Sequence, residues 1–434
     1  MMGRKIQVCA LSLIAALGYT ASATAQAAEP PPVVEKPAEP TTEPSVVAAP
    51  TAPAAPPIAL EPTPPPAPPP ADAAPPTAFE PLKIESKNGS ATLKLGLLLQ
   101  PQFEAIGSSV DGQTGSSNNL FLRRTRLLVG GTLFKDFEYF FDTDAPNLFK
   151  GDTGSAMSTG TKASQGIVVQ DAFGTWKAYG DYVKLDAGYM LTPGAHNALQ
   201  GAGTLYGLDY FSNSFLHTNS FNAATPPVGR DAGAQLRGLV LDGHLEYRLG
   251  VFQGFRRPAT ATEVADRNMF RVAGRVQINV FDAETGFFYA GTYLGKKKVL
   301  SFGAAYDFQS GYHHWGLDGF LDMPVGPGGL TAQVNFAKWN GNQFINTLPN
   351  QTAFMAEAGY RFDAVPISPI AKFEQRSFAD NDARETRFGL GVAYWPYGHN
   401  INLKAFYTRA TYKPVAGDSL GQNQFQLQWQ LYFY

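Results

Sequence analysis

The sequence is short of almost everything that would make a disulfide-held, metal-bound or helical membrane protein. It has one cysteine, Cys9, in 434 residues, so no disulfide framework can form. Histidine is scarce as well: His196, His217, His244, His313, His314 and His399. His313 and His314 are neighbours that point to opposite faces of a strand, which is poor geometry for a shared metal. No Gly-x-Ser-x-Gly occurs, and only His196 and His217, in one long loop, are placed for catalysis. The expectation is therefore no enzyme, no cofactor and no structural metal. Charged residues are 16% of the chain, with a formal net charge of −2, and nothing in their arrangement points to nucleic acid. No segment reaches the ~18 uninterrupted apolar residues of a transmembrane helix.

What is present falls into three zones. Arg4 and Lys5, the apolar stretch Ile6 to Leu17 and the small-x-small triplet Ala25-Gln26-Ala27 read as a secretory signal peptide over residues 1–27. Cys9 is lost with it, and the mature chain leaves the cytoplasm. Residues 28–80 form a Pro/Ala-rich linker, with nineteen of the 33 prolines between positions 28 and 78. Such a segment buries too little apolar area to offset its chain entropy, so it is expected to stay disordered with polyproline II character. At ~3.1 Å per residue it could reach on the order of 150 Å. A passive spacer and a tether toward the cell wall or a periplasmic partner both fit it.

The third zone, 81–434, reads in a period of two. The closing stretch FQLQWQLYFY sets Phe425, Leu427, Trp429, Leu431 and Phe433 against Gln426, Gln428, Gln430 and Tyr432, one apolar face and one polar. About sixteen such runs are expected, starting near 90, 119, 136, 166, 182, 229, 242, 268, 298, 312, 328, 352, 367, 383, 399 and 421. One set of connections is tight: FKD at 134–136, YGD at 179–181, LDG at 241–243 and PYGH at 396–399. The other set is longer and polar, roughly 105–118, 144–165, 191–228, 255–267 and 340–351. The 281–298 connection breaks the alternation, and a hidden strand pair within it stays open. A meander with short turns at one end, long loops at the other and a Phe/Tyr/Leu/Trp face on strand after strand is the signature of an all-β transmembrane barrel. In NMFRVAGRVQINVF, for example, Phe270, Val272, Val276, Ile278 and Val280 oppose Arg271, Arg275, Gln277 and Asn279. Lipid would cover the first face and water the second, which places the chain in the outer membrane of a Gram-negative bacterium.

Four stretches also resemble the phosphate-selective porin family, the outer-membrane porin O and P type: FLRRTRLLVGGTLFKDFEYFFDTD (121–144), IVVQDAFGTWKAYGDYVKLDAGYM (167–190), VGRDAGAQLRGLVLDGHLEYRLGVFQG (228–254) and AGTYLGKKKVLSFGAAYDF (290–308). The resemblance runs over roughly 83–434 and implies a sixteen-stranded barrel, a homotrimer, and a longest loop (here 191–228) folded into the lumen as a constriction. It also implies that Arg123 and Arg124, which match the family's Arg-Arg pair, lie on the anion pathway. The chain departs from the pattern at Arg126, where an aromatic often stands, and in its long loop, which has no lysine or arginine before Arg230. Anion preference survives these gaps better than phosphate selectivity does.

Parity assigns thirteen cations to the lumen: Lys94, Arg124, Arg126, Lys184, Arg237, Arg248, Arg271, Arg275, Arg361, Lys372, Arg376, Arg387 and Lys404. It sets eight anions against them: Glu138, Asp142, Asp186, Asp231, Glu246, Asp307, Glu357 and Glu374. A basic lining favours small anions such as phosphate, and arginine's planar fork suits phosphate in particular. Alternatively, the arginines pair with the acids and merely stabilise the wall. Arg124 and Arg126 share a face and are close enough to hold one anion between them. Arg123 has the wrong parity and needs a bulge or a rim position to reach the lumen. A sugar-selective porin is the nearest competitor, disfavoured because the inferred lining holds more arginine than aromatic. A structural protein whose proline arm grips the cell wall is the more distant one.

Overall fold

The computed structural model describes residues 81–110, 113–151, 166–210, 229–255, 269–342, 344–345, 348–379, 382–415 and 417–434. The stretch expected to be a signal peptide and the whole Pro/Ala-rich stretch, 1–80 together, lie outside the described residues, as does the second half of the long loop, 211–228. A short β1 (Leu82–Glu85) is followed by β2 (Ala91–Val110), β3 (Gln113–Leu133), β4 (Phe137–Asp144), β5 (Val168–Tyr179), β6 (Val183–Leu191), β7 (Arg230–Val240), β8 (Leu245–Phe252) and β9 (Arg271–Asn279). The second half comprises β10 (Val299–Gln309), β11 (Tyr312–Pro324), β12 (Gly328–Asn340), β13 (Gln351–Phe362), β14 (Ile367–Phe378), β15 (Arg384–Tyr394), β16 (Ile401–Lys413) and β17 (Leu420–Phe433).

Strands β2 to β17 pair antiparallel with their sequence neighbours, and β17 pairs with β2 to close a sixteen-stranded barrel. Closure leaves no sheet edge, so every spanning strand satisfies its backbone within the sheet, as a hydrocarbon environment demands. β1 was not foreseen. It pairs with the start of β2 (Leu82↔Leu95 to Glu85↔Thr92), while β17 ends opposite Leu97. It thus fills the wall just below the chain's last strand.

Alternation builds the wall as expected: Leu127, Trp176, Leu249, Ile278, Phe302, Leu317, Val334, Phe388, Leu403 and Trp429 are exposed on the outer surface. The strand-mates of the opposite parity, such as Gln428 and Gln430, are buried on the inner one. The tight turns fall where the sequence places them. At the 241–243 turn Leu241, Asp242 and Gly243 all adopt positive φ (52°, 54° and 87°), which lets two strands reverse within three residues.

One expectation needs correction, and one question left open by the sequence has an answer. Residues 105–118 are not a loop: β2 and β3 continue to Val110 and Gln113 and form one tall hairpin. The polar composition that suggested a loop belongs to paired strands that need no apolar face. The 281–298 connection hides no strand pair. Its ends stay paired (Val280 N to Leu300 O, 2.8 Å; Asp282 N to Lys298 O, 2.9 Å), and the segment between them turns into the lumen.

Inside the barrel this segment meets the first half of the long loop. Gly201 N bonds Tyr289 O and Tyr289 N bonds Leu199 O, both at 2.9 Å, forming a parallel bridge between Gln200 and Tyr289. Leu199, Phe287 and Tyr289 then share an apolar cluster with inward-facing Phe173, Met190, Phe252 and Ala273 of the wall. A second cluster joins Tyr206, Leu208 and Leu294 to Ile370, Ala393, Trp395 and Phe406. Two packed segments therefore cross the lumen, held by one cluster on the β5–β9 side of the wall and by another on the β14–β16 side.

Candidate functional site

The arginine-rich stretch of β3 is where the wall departs from regularity. Gln100 pairs with Arg124 while Pro101 pairs with Leu122, so Arg123 is the extra residue of a bulge. Pro101 has no N–H to donate, and bulges are where a proline is tolerated in a sheet. The bulge turns both Arg123 and Arg124 inward, and both are buried. They converge on Asp209 of the long loop: Arg123 Nε donates to Asp209 Oδ2 at 2.9 Å, and Arg124 bonds the other carboxylate oxygen. Tyr210 lies beside them, its ring 5.4 Å from the Arg124 guanidinium. Burial would raise the Asp209 carboxyl, but the two guanidiniums override it and hold the group well below the usual carboxylate range.

Further cations hold the loop by its backbone. Lys404 Nζ donates to the carbonyls of Leu205 (2.6 Å) and Gly207 (2.9 Å), and Lys372 Nζ to those of Asp209 (2.9 Å) and Tyr210 (2.7 Å). The loop comes closest to wall side chains at two glycines. A Cβ on Gly203 would meet the Tyr432 ring at 2.8 Å, and one on Gly207 would meet the Glu357 carboxylate at 2.3 Å. At the other end of the loop the His196 ring bonds Glu284 at 2.8 Å and lies stacked with Tyr289 and Phe320. This contact ties the long loop to the 280–298 segment.

The remaining arginines do not form an open basic ladder. Arg126 reaches Asp142 (3.4 Å) and Asp144 (3.1 Å), so it shares no anion site with Arg124. Within this stretch of β3 the pair that converges on one carboxylate is Arg123 and Arg124. Arg237 bonds Asp186, Arg271 bonds Asp307, and Arg275 grips Asp318 with two nitrogens at 2.6 and 2.9 Å. Arg248 bonds Glu246 and the Phe287 carbonyl. Arg376 and Arg387 share Glu385, at 2.7 and 2.8 Å. Arg361 sits at the short-turn rim with Asp363, away from the others.

The parity count of thirteen cations to eight anions is corrected accordingly. Among the described residues twelve basic and fourteen acidic side chains are buried. The acids it missed include Glu104, Asp144, Asp171, Glu284, Asp318, Asp322 and Glu385, all buried. Several were legible: Glu385 stands two residues before Arg387 and so shares its face, and Asp318 and Asp322 share a face with His314. Arg230, which holds Asp171 through two 3.0 Å bonds, was also missed, because parity with its neighbour Asp231 turned inward assigns it to the outer face.

The expectation that arginine outweighs aromatic in the lining also fails at the short-turn end. A cavity of about 340 Å³ opens there between the wall and the two inward segments. Phe140, Tyr210, Phe288, Tyr289, Tyr293, Tyr432 and Tyr434 line it, against Arg126, Arg230 and Lys297. The Tyr434 ring packs edge-on against Phe140 at 5.6 Å, inside the barrel. One edge of the arrangement responds to acid. His399, in the β15–β16 turn, donates from Nε2 to the Thr292 carbonyl at 3.0 Å. Burial, with Lys404 adding to it, lowers its pKa from 6.5 to about 4. Because the folded value is depressed, the stabilisation is present above about pH 6.5 and is lost as pH falls toward 4. Hydrogen exchange of residues 286–294, corrected for intrinsic rate, is expected to be faster at pH 4.5 than at pH 7. His399→Gln should remove that difference; an unchanged pH response in the variant would exclude His399 as its source.

No family model matches the chain, and no curated protein sequence does. Among solved structures the fold is similar to the outer membrane channel DcaP of Acinetobacter baumannii, with a TM-score of 0.50 at 13% identity over 81% of this chain and 99% of that one. It is similar also to OprB of Pseudomonas putida, with a TM-score of 0.53 at 9% identity over 78% and 94% of the two chains. At these identities the likeness is one of fold: the chain adopts the closed sixteen-stranded antiparallel barrel seen in outer-membrane channels.

Proposed function

We propose that the chain forms a water-filled outer-membrane channel for passive movement of small polar solutes, with only a weak preference for the sign of charge. One observation carries this reading: the polar interior of a lipid-facing barrel is narrowed by inward loops, and its arginines are matched by carboxylates. Rings of unpaired Arg or Lys select anions; paired ones present dipoles to the solute and leave little net field. A second reading, a channel preferring small anions such as phosphate, is favoured by the cluster of Arg123, Arg124 and Lys372 around Asp209. There a solute anion would have to compete with a resident carboxylate.

Planar-bilayer recording decides between them. In a potassium chloride gradient the permeability ratio of the two ions is expected to lie within about threefold of unity, because paired wall charges contribute little net potential. Millimolar phosphate should leave the current unchanged. A strongly anion-selective current that phosphate blocks would overturn this and restore the anion reading, and no current at all would remove the channel. Export through a signal peptide, assembly into a homotrimer and contact of residues 28–80 with the cell wall belong to the same proposal. N-terminal sequencing, cross-linking in native membranes and peptidoglycan co-sedimentation test them in turn.

A further inference from the structure

We infer that the cavity at the short-turn mouth of the barrel is a binding site for a sugar, a pyranose or short oligosaccharide, taken up by stacking against rings. The inference rests on the channel reading and specifies one solute class for it. The cavity volume, about 340 Å³, is at the lower end of ligand sites, which run from about 300 to 1,000 Å³. Six of its rings, Phe140, Tyr210, Phe288, Tyr293, Tyr432 and Tyr434, are only half-buried, unlike the covered Tyr289 and Tyr206 of the neighbouring clusters. Half-buried rings inside a water-filled barrel leave apolar surface that no protein group covers. That surface is a platform for the C–H face of a ring-shaped solute.

The polar groups around this platform fit a neutral ligand better than a charged one. Arg230 is committed to Asp171, and Arg126 to Asp142 and Asp144, so the guanidiniums in the lining are already neutralised. Lys297 lies over the Tyr293 ring at 4.8 Å. A free anion would find no vacant cation pair there. A hydroxyl-rich neutral molecule would find donors and acceptors side by side. Tyr432 and Tyr434 bring phenol groups to the lining, and Thr285 and Gly286 are exposed on the segment that forms one wall. A polyol needs this combination of apolar faces with mixed donors and acceptors; phosphate and hydrocarbon each use only half of it.

The test uses the full chain in planar bilayers with maltose or glucose added on either side, and benzoate in a parallel series. Maltose is expected to interrupt the current at millimolar concentration, and Phe288→Ala should weaken that affinity about tenfold, the loss of one stacked ring. Tyr432→Phe, which removes only a hydroxyl, should weaken it several-fold while the barrel keeps its heat-modifiable mobility on gels. Conductance that neither sugar interrupts would overturn the site and leave the channel standing. Interruption by benzoate but not by sugar would overturn it in favour of an aromatic acid. Absence of conductance would remove the channel itself, and titration of the detergent-solubilised chain with maltose by calorimetry would then decide the site alone.

Discussion

Asp209→Ala is expected to turn a weakly selective channel into an anion-selective one. Asp209 is the carboxylate on which Arg123 and Arg124 converge, and its backbone carbonyl is held by Lys372. Removing it deletes one negative charge and releases two guanidiniums toward the lumen, a local change of sign where the long loop meets the wall. Arg126 does not compensate, since it is held by Asp142 and Asp144 on the other side. In a low-dielectric constriction such a change moves ion selectivity far more than it would at a mouth, so the chloride-to-potassium ratio should rise by about threefold or more. Phosphate, inert on the parent channel, should begin to interrupt the current. The control is Asp363→Ala, which frees Arg361 at the exposed rim and should change little. If Asp209→Ala leaves the reversal potential where it was, the bulge cluster does not lie on the conduction path.

The fold was legible because a barrel wall repeats one simple pattern. Fifteen of the sixteen barrel strands begin within three residues of the positions read from alternation and turn residues; β3 begins six residues early. The family resemblance and the parity of Arg123 together called for a bulge or a rim position, and a bulge is there beside Pro101. The interior was harder to read, for a physical reason. Parity says which way a side chain points but not what it meets. The partners of the inward arginines lie across the sheet, one or two strands away, or on a loop: Asp307 for Arg271, Asp318 for Arg275, Asp209 for Arg123 and Arg124. Likewise Phe173, Phe252 and Ala273 are apolar residues on the watery parity, breaks in the alternation that announce something packed inside. The one connection that broke the turn pattern, 281–298, is what packs there.

Excising Glu284–Gly295 and closing β9 to β10 with a short turn is expected to give the largest rise in conductance of any single change to this chain. The segment fills the lumen without belonging to the wall: the β9–β10 register, Ser301↔Asn279 to Phe308↔Val272, does not involve it. The barrel should therefore still close and keep its heat-modifiable mobility. What is lost is the inner cluster of Phe287 and Tyr289 on Phe173 and Phe252, the bridge to Gln200, and the buried Glu284–His196 contact. Deleting one partner of a buried ion pair is normally costly. Here, however, His196 is carried by a loop that can move toward the water admitted by the excision. With the obstruction gone, conductance should rise at least about twofold, since the water-filled cross-section sets the current in a wide barrel. Selectivity should shift modestly toward anions, because Glu284 is the only charge in the excised stretch and Arg248 loses its Phe287 carbonyl. The same variant lacks Phe288 and Tyr293, half of the sugar cavity's inner wall, so sugar block should vanish as the current grows. A larger current with undiminished sugar block would separate the two roles and move the site elsewhere. An unchanged current would mean that solutes pass the barrel along the opposite wall, beside Gln102, Glu104 and Gln424, and never meet this segment.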